Sequence, residues 1–299
     1  MKKWILIVNP SAGRGKGAAM ADRLENRLKT DGFKYERLDT NGPGDAVIFA
    51  RGIDRESVDK VMIVSGDGTV NEVLRGLSHP APPIAVFPAG TGNDVARMLG
   101  IKNEAHAYET AVGGVVRSVD IGMASGEPFL NIFSFGFDAA IATQANKWKH
   151  KFPGWFLYPA ALIKTIFTYE SPDVRISING ESLNKRTPAQ KILLLAVCNG
   201  GYYGGGMNIN PLADPFDGKL ELCIIKPMPR LKILLLFPTI YSGRHMRFKE
   251  VSITRISQVA FSSESTLLLN NDGETRPGNE SDITLSTQGI PMMCPQNME

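Results

Sequence analysis

A short segment, residues 65–71, combines small residues with one carboxylate in the order Ser65-Gly66-Asp67-Gly68-Thr69-Val70-Asn71. An apolar run over residues 61–64 precedes it, and an apolar pattern with helical spacing over residues 70–77 follows it. Backbone N–H groups at such a strand-to-helix junction are uncovered, and they suit phosphate. Asp67 would repel that phosphate unless a divalent cation lay between them. The segment therefore predicts a nucleotide–metal loop and phosphoryl transfer.

Two further loops have the same strand–loop–helix arrangement. Residues 9–17 follow an apolar run and combine three glycines with Arg14 and Lys16, which can neutralise phosphate. Residues 88–94 also follow an apolar run, and their last two residues, Asn and Asp, could cap the next helix. The first of these loops lacks the spacing of a Walker motif. An ordinary turn explains one such loop, but three of them at one sheet edge favour a ligand site.

The first hundred residues alternate between strand-like and helix-like segments. Three short apolar runs have the length of buried strands, residues 5–8, 61–64 and 84–87, and residues 35–38 look like a further strand. Residues 18–28 and 46–53 have helical character. This alternation predicts a parallel sheet covered by helices on both faces. In such a sheet ligands bind beyond the carboxyl ends of the strands, where the three loops begin.

From about residue 119 the pattern changes to short strand-like segments between turns. They are residues 129–133, 174–178, 192–198, 220–225, 251–256 and 266–269. Residues 155–168 and 231–241 look helical, and the second is expected to be a core helix. We therefore predict a nucleotide-binding α/β domain over residues 1–120 and an antiparallel sandwich or barrel over residues 121–284. Residues from about 285 to 299 could pack back on the first domain.

Composition limits the class of protein. The 299 residues fit two domains, and 43% hydrophobic with 21% charged residues is ordinary for a globular protein. A formal net charge of +3 does not indicate nucleic-acid binding. The three cysteines and four histidines lack the spacing of a disulfide framework or a zinc site, which indicates a reducing, cytoplasmic setting. No apolar stretch approaches the roughly 18 residues of a membrane-spanning helix.

The three loops and several later motifs occur together, in the same order, in one family. These motifs are Asn9-Pro10-Ser11-Ala12-Gly13, Gly66-Asp67-Gly68-Thr69 with Asn71-Glu72, Gly90-Thr91-Gly92-Asn93-Asp94, Asn199-Gly200 with Gly204-Gly205-Gly206, Asp214-x-x-Asp217-Gly218, and Asp272-Gly273-Glu274. In this set the chain resembles the diacylglycerol kinase catalytic family of lipid kinases, over nearly its whole length. The resemblance implies an N-terminal three-layer Rossmann-like domain with a parallel sheet, as in phosphofructokinases and NAD kinases. It also implies a C-terminal antiparallel β-sandwich.

The resemblance implies a role for each motif. ATP would contact the three loops and the end of the second strand, at Asn9, Pro10, Ser11, Ala12, Gly13, Thr40, Ser65, Gly66, Asp67, Gly68, Thr69, Val70, Asn71 and Thr91. Asp67 would organise the catalytic Mg²⁺, while Asp214 and Asp217, with the main chain near Lys219, would hold a structural Mg²⁺. Glu274 would be the general base for the lipid hydroxyl. Judged by spacing alone, the two aspartates form an Asx turn and Glu274 is an exposed turn carboxylate.

The chain departs from the family pattern at the start of the second loop, where Ser65 stands in place of a common glycine. Serine tolerates a positive φ poorly, so either this position does not need one or the loop is slightly altered. The residues after Glu274 also give only an average match. Neither difference removes a catalytic group.

Residues 147–158 mix cations with large aromatic side chains. Lys147, Lys149 and Lys151 suit an anionic lipid surface, and the rings suit the head-group level. The alternative is a solvated basic loop with its aromatic side chains packed beneath it. The first interpretation predicts peripheral contact with an anionic membrane.

The favoured function is an ATP- and Mg²⁺-dependent lipid kinase, with diacylglycerol as acceptor and phosphatidic acid as product. The first alternative is a soluble NAD or sugar-phosphate kinase that shares only the Gly-Asp-Gly-Thr loop. The second is a nucleotide-binding regulator without turnover. The expected partner is a membrane lipid and not a nucleic acid. The sequence leaves the acceptor lipid and a homodimeric state open.

Overall fold

The computed structural model describes residues 3–148, 154–180, 183–184 and 186–297. The first part of the chain forms β1 (Lys3–Val8), α1 (Ala12–Thr30), β2 (Tyr35–Asp39), α2 (Asp45–Arg51), β3 (Val58–Ser65), α3 (Asp67–Gly76), β4 (Ile84–Pro88), α4 (Asp94–Met98), α5 (Glu104–Gly113) and β5 (Val115–Val119). The second part forms β6 (Gly122–Ala124), β7 (Glu127–Phe129), β8 (Ile132–Gly136), α6 (Phe137–Trp148), α7 (Gly154–Thr168), β9 (Asp173–Ile178), β10 (Ala189–Lys191), β11 (Leu194–Cys198), β12 (Tyr202–Tyr203), β13 (Met207–Asn208), β14 (Leu220–Ile225), α8 (Arg230–Ile240), a short 3-10 helix (Arg244–Arg247), β15 (Val251–Ile256), β16 (Gln258–Asn271), β17 (Glu274–Leu285) and β18 (Ile290–Cys294).

The first domain is built on a six-stranded sheet with the order β2-β1-β3-β4-β18-β5. The first four of these strands are mutually parallel, and β18 is parallel to β4 but antiparallel to β5. Five of the six residues of β1 are buried, because helices cover both faces of a parallel sheet. The last strand of the chain thus lies in the N-terminal sheet, and the chain passes to the second sheet between β5 and β6.

The second domain is an antiparallel sheet that branches at its longest strand, β16. One edge of β16 pairs with β17, whereas its other edge pairs with β9 near its start and with β8 near its end. The register shifts between Ser262 and Leu267, which separates the two parts. Phenylalanine side chains fill the core of this domain, and the rings of Phe135 and Phe261 have centroids 4.7 Å apart. The sheet therefore folds over in a sandwich-like manner.

The predicted fold class is confirmed: a parallel α/β domain is followed by an antiparallel β domain. The sequence interpretation missed α6, although Phe137, Ile141 and Ala145 are buried four residues apart, as in an amphipathic helix. The expectation of a core helix holds for only one face of α8, because Ile233, Leu236 and Ile240 are buried whereas Leu231 and Leu235 are exposed. No helix in the described ranges is long and apolar enough to cross a membrane.

Candidate active site

The three predicted ligand loops meet at one edge of the N-terminal sheet. Since β1, β3 and β4 are parallel neighbours, their carboxyl ends lie side by side. The backbones of the second and third loops are so close that a Cβ on Gly90 would lie 2.5 Å from the Cα of Gly66. Glycine is required here by this close approach. The sequence-predicted nucleotide loops are therefore assembled in one place.

Ser65, which departs from the family pattern, fits its position without strain. It is the last residue of β3 and is not among the residues with positive φ. Its hydroxyl donates to Oγ1 of Thr69 at 2.6 Å, and Nδ2 of Asn9 donates to the same atom at 3.4 Å. The serine hydroxyl thus links the loop to the first turn of α3, a link that glycine could not make.

The first loop leaves helical geometry within its glycine-rich part. Gly13, Arg14 and Gly15 have φ values of 57°, 63° and 91°, so α1 is interrupted there. A Cβ on Gly13 would lie 2.2 Å from the carbonyl oxygen of Ala89, which packs the first loop against the third. The basic side chains beside these glycines are exposed and free to reach an anion.

The remaining residues predicted to contact ATP flank these loops. Thr40 follows β2 and donates its N–H to the carbonyl of Val8 at 2.8 Å, and Thr91 is exposed on the third loop. Asn71, in the second turn of α3, is buried and faces the second domain through its amide. The whole predicted set thus borders the same sheet edge, while its contacts with ATP stay predictions.

Asp67 opens α3, and its Oδ1 accepts the N–H of Val95 at 2.9 Å. Asp94 opens α4 but does not cap it; of the two predicted caps, Asn93 occupies the N-cap position, without a side-chain hydrogen bond to the helix. The carboxylate of Asp94 instead accepts the N–H of Gly205 from the second domain at 2.8 Å and pairs with Arg97. Burial raises the pKa of Asp94, and the charge of Asp67 raises it further.

The side chain of Asn93 forms hydrogen bonds within the third loop. Asn93 lies just before α4 in the left-handed region, with a φ of 55°. Its amide accepts the N–H of Gly90 at 2.8 Å and donates to the carbonyl of the same residue at 3.0 Å. The third loop is therefore closed by asparagine, which leaves the aspartate to join the two domains.

The turn between β16 and β17 is organised by Asp272, whose role the sequence interpretation missed. Its carboxylate accepts the N–H groups of Leu130, Asn131 and Ile132 at 2.6, 3.0 and 2.8 Å. Burial raises the pKa of Asp272 to about 6 despite these donors, and the charge of Asp67 also raises it. This turn carries Glu274 to the place where the second domain contacts α3 of the first.

Glu274, the predicted general base, lies at the start of β17 with its side chain 55% exposed. Nη1 of Arg75, near the end of α3, lies 2.8 Å from its Oε2. One turn earlier on α3, Nδ2 of Asn71 donates to the carbonyl of Asp272 at 3.4 Å. The helix that begins at Asp67 therefore contacts both ends of the turn that carries Glu274.

The predicted structural Mg²⁺ site lies in a turn between β13 and β14. The carboxylates of Asp214 and Asp217 accept the N–H groups of Phe216 and Lys219, at 3.1 and 3.0 Å, which is the Asx-turn geometry. Oδ2 of Asp217 also lies 2.9 Å from a guanidinium nitrogen of Arg255. Within the described ranges no three acidic, histidine or cysteine side chains form a metal-holding group.

A further carboxylate, Asp120, faces the same turn and was missed. It accepts the N–H of Gly218 at 2.7 Å, and burial followed by the charges of Asp217 and Asp214 raises its pKa. The same two aspartates also raise the pKa of Glu221 after burial. Negative charge at this turn thus exceeds the single guanidinium of Arg255, and oxygen donors of this kind suit a hard cation, although in the described ranges the carboxylates are not gathered into a metal-holding group. The position of Asp120 directly after the strand β5 was the available sequence signal.

The cationic and aromatic segment proposed for membrane contact falls largely outside the described residues. Lys147 lies near the end of α6, whereas Lys149 and Lys151 belong to residues 149–153, which are not described. The aromatic part of the segment begins α7. The expectation of membrane contact by these lysines therefore stays a prediction.

Comparisons with known proteins agree with this arrangement. The family model of the diacylglycerol kinase catalytic domain matches residues 3–124, and that of the YegS C-terminal NAD kinase beta sandwich-like domain matches residues 131–292. A diacylglycerol kinase of Mycobacterium tuberculosis is 30% identical over 262 residues, which cover 85% of this chain and 82% of the relative. A probable YegS-like lipid kinase of Chromohalobacter salexigens is 31% identical, with coverages of 91% and 86%.

A solved structure extends the likeness to the whole fold. A putative diacylglycerol kinase from Bacillus anthracis superimposes with a TM-score of 0.78 and 26% sequence identity, and the match covers 98% of this chain and 97% of that one. Both domains are therefore shared with this relative. The chain belongs to the diacylglycerol kinase family of ATP-using lipid kinases.

Proposed function

We propose that the protein transfers the γ-phosphoryl group of ATP to the hydroxyl of diacylglycerol, giving phosphatidic acid. The observation that carries this proposal is the meeting of α3 with the β16–β17 turn, through Asn71 with Asp272 and Arg75 with Glu274. This contact supports a site that combines the predicted phosphate loops with a carboxylate of the second domain. The names of relatives such as the diacylglycerol kinase of Bacillus subtilis, 27% identical over 278 residues, support this acceptor.

On the donor side, the three loops contact ATP at the residues assigned above. Helix starts and glycine-rich backbone supply N–H groups to the phosphates, and Asp67 would hold the Mg²⁺ that, when bound, would neutralise them. The N–H of Val95 orients the carboxylate of Asp67. Phosphoryl transfer depends mainly on such positioning and charge neutralisation.

On the acceptor side, Glu274 takes the proton of the lipid hydroxyl. An alcohol is a poor nucleophile at neutral pH, so a carboxylate within hydrogen-bond reach assists its attack. The alcohol oxygen forms a bond to the γ-phosphorus, the bond from that phosphorus to the β,γ-bridging oxygen breaks, and ADP leaves with the electron pair. The exposure of the Glu274 side chain allows a lipid head group to reach it.

The structural Mg²⁺ belongs to the same proposal. Asp214 and Asp217, with the main chain near Lys219, would hold it, and Asp120 would lie beside it. When bound, the cation would neutralise mutually repelling carboxylates and brace the loop that precedes β14. Arg255 would then share Asp217 with the metal.

The test is transfer from labelled ATP to a panel of lipids in mixed micelles. The panel contains diacylglycerol, phosphatidylglycerol, sphingosine and undecaprenol, with NAD as a soluble acceptor. Labelled phosphatidic acid is expected, and it should vanish in Asp67→Asn and Glu274→Ala while both variants stay folded. Glu280→Ala, at an exposed carboxylate on the same strand as Glu274, is the matched control and should retain activity. Labelling of NAD alone, or ATP binding without transfer to any lipid, would overturn the proposal.

A further inference from the structure

A hydrogen-bond network lies behind the turn that carries Glu274. We call it the Asn270 network, formed by the side chains of Asn270, Ser134 and Asp138 and the N–H of Gly273. Asn270 and Ser134 lie directly opposite each other on the antiparallel strands β16 and β8, so their side chains are on the same face of the sheet. Both side chains are buried and are therefore shielded from water.

The turn itself has only two residues between its paired strands. Asn271 and Glu274 are partners in the ladder of β16 and β17. The two residues between them, Asp272 and Gly273, have φ values of 47° and 96°, which are typical of a tight hairpin turn. The N–H of Gly273 donates to Oδ1 of Asn270 at 2.9 Å. The residue that leads into Glu274 is thus held by the amide of Asn270.

Ser134 determines which end of the Asn270 amide faces Gly273. An amide has a donor end and an acceptor end of nearly the same shape, so its partners fix its orientation. Nδ2 of Asn270 donates to Oγ of Ser134 at 3.2 Å, which turns Oδ1 towards Gly273. The serine oxygen is therefore an acceptor in this bond, and its own hydrogen must point to another group.

Asp138 accepts that hydrogen. It lies in the first turn of α6, four residues after Ser134, and its Oδ2 accepts the serine hydroxyl at 2.6 Å. An O–H···O bond of this length is typical of an ionised carboxylate. Burial raises the pKa of Asp138, whereas the serine hydroxyl and the N–H groups at the start of α6 oppose this shift. Since an ionised carboxylate only accepts, every donor of the network points in one direction, from Gly273 to Asp138.

The Asn270 network acts on the turn from within the second domain, whereas α3 acts on it from the first. Asn71 donates to the carbonyl of Asp272, and Arg75 pairs with Glu274 itself. Three successive residues of the turn are thus held by three separate contacts. Precise placement matters here, because a displacement of about 1 Å at a reacting group lowers the rate about 100-fold.

We propose that Asn270, with Ser134 and Asp138 behind it, is a positioning residue for Glu274 in phosphoryl transfer. Asn270 acts through the main chain: it fixes Gly273, and thereby the backbone from which the Glu274 side chain extends. This inference rests on the proposed lipid-kinase function, in which Glu274 takes the proton of the lipid hydroxyl. It extends the residues on which the reaction depends into the interior of the second domain.

The first experiment reverses the direction of the network. Asn270→Asp has nearly the same shape but no donor, so two carboxylates face the single hydrogen of Ser134 and repel each other. Asp138→Asn alone leaves the serine with two donors and no acceptor. Each single variant is expected to lower kcat about tenfold and to leave the KM for ATP unchanged, because the nucleotide loops belong to the first domain.

The double variant, Asn270→Asp with Asp138→Asn, should be faster than both single variants. In it the amide at position 138 donates to Ser134 and the serine donates to the carboxylate at position 270, so every partner is again satisfied. Ser281→Ala is the matched control: it removes a buried hydroxyl of β17 that lies 2.9 Å from Oγ of Ser125, and it should keep the parent kcat. A double variant that is no faster than the single ones would overturn the inference, as would a kcat that falls only in proportion to the folded fraction.

The second experiment follows the turn without catalysis. In protein that contains nitrogen-15-labelled glycine, Ser134→Ala should make the Gly273 N–H exchange with solvent about tenfold faster, because the Asn270 amide loses its fixed orientation. Ser281→Ala should leave this exchange unaltered. Equal exchange in Ser134→Ala and the parent protein would refute the network. Faster exchange in a protein that phosphorylates no lipid would support the network as a holder of the turn and refute the proposed function.

Discussion

The guanidinium of Arg75 and the carboxylate of Glu274 lie 2.8 Å apart, the first on α3 and the second on β17. This pair joins the helix that begins at the nucleotide loop to the strand that carries the proposed general base. Both side chains retain contact with solvent, at 24% and 55% exposure, so their attraction contributes little to the free energy of unfolding. Its consequence is the orientation of Glu274 where the two domains meet.

Arg75→Ala is expected to lower kcat about tenfold and to leave the KM for ATP nearly unchanged. The reason is that the variant frees the Glu274 side chain without touching the nucleotide loops, and loss of orientation acts on the chemical step. Arg75→Lys keeps a cation near Glu274 and should recover part of the rate. Steady-state kinetics with lipid micelles measure both effects.

Arg175→Ala is the matched control for this prediction. Arg175 forms a similar pair with Glu264 at 3.0 Å, on the strands of the second domain. Its loss should leave kcat unaltered, and all three variants should unfold at nearly the parent temperature. Equal rates in Arg75→Ala and the parent protein would show that the ion pair does not position Glu274.

Gly90→Ala is expected to weaken ATP binding at least tenfold. The new Cβ would lie 2.5 Å from the Cα of Gly66, so one of the two loops must move. Both loops present backbone N–H groups to the predicted phosphate site, and a shift of either misplaces them. Fluorescence titration with a nucleotide analogue measures the change. Gly113→Ala, where a Cβ meets nothing within 4 Å, should bind normally, and normal binding by Gly90→Ala would contradict the packing argument.

Activity should decline as the pH falls through about 6. Below the raised pKa of Asp272, about 6, its carboxyl becomes protonated and loses acceptor capacity for the three N–H groups that fix the turn before Glu274. Asp272→Asn should be slow at every pH and should lack this acidic decline. Profiles of kcat/KM against pH test the assignment, and a decline near pH 6 that persists in Asp272→Asn would attribute it to another group.

The free energy of unfolding should decrease as the pH falls, because His245 becomes protonated more readily in the unfolded chain. This side chain is fully buried against the carbonyl of Ile209, at 2.9 Å from Nε2, and burial lowers its pKa. Below the ordinary histidine pKa of about 6.5, His245 therefore binds a proton in the unfolded chain while it stays neutral in the folded chain. This difference lowers the free energy of unfolding by up to about 1.4 kcal/mol per pH unit. Stability from this group is thus present above pH 6.5 and is lost as the pH falls.

Urea unfolding of the parent protein and of His245→Gln at pH 7.5 and pH 5.5 measures this contribution. Glutamine can still donate to the carbonyl of Ile209 but does not titrate, so the acid-induced loss should be smaller in the variant. Equal losses in the two proteins would show that His245 does not control acid stability.

The sequence by itself determined the fold class and the location of the nucleotide loops. Apolar runs that end in glycine-rich segments are local patterns, and their outcome follows from backbone geometry and from the burial of parallel strands. Ser65, Gly66 and Gly90 could therefore be placed at one sheet edge before the structure was known. Local patterns also predicted α8, but not that only one of its apolar faces is buried.

Only the tertiary structure decided how the two domains meet. Asn71 contacts Asp272 across 201 positions of sequence, and Asp94 reaches Gly205 where an N-terminal cap had been predicted. Such contacts depend on the relative placement of two sheets, and the periodicity of the sequence does not determine that placement. Long-range packing thus set the partners of the functional side chains, whereas local sequence set their chemistry.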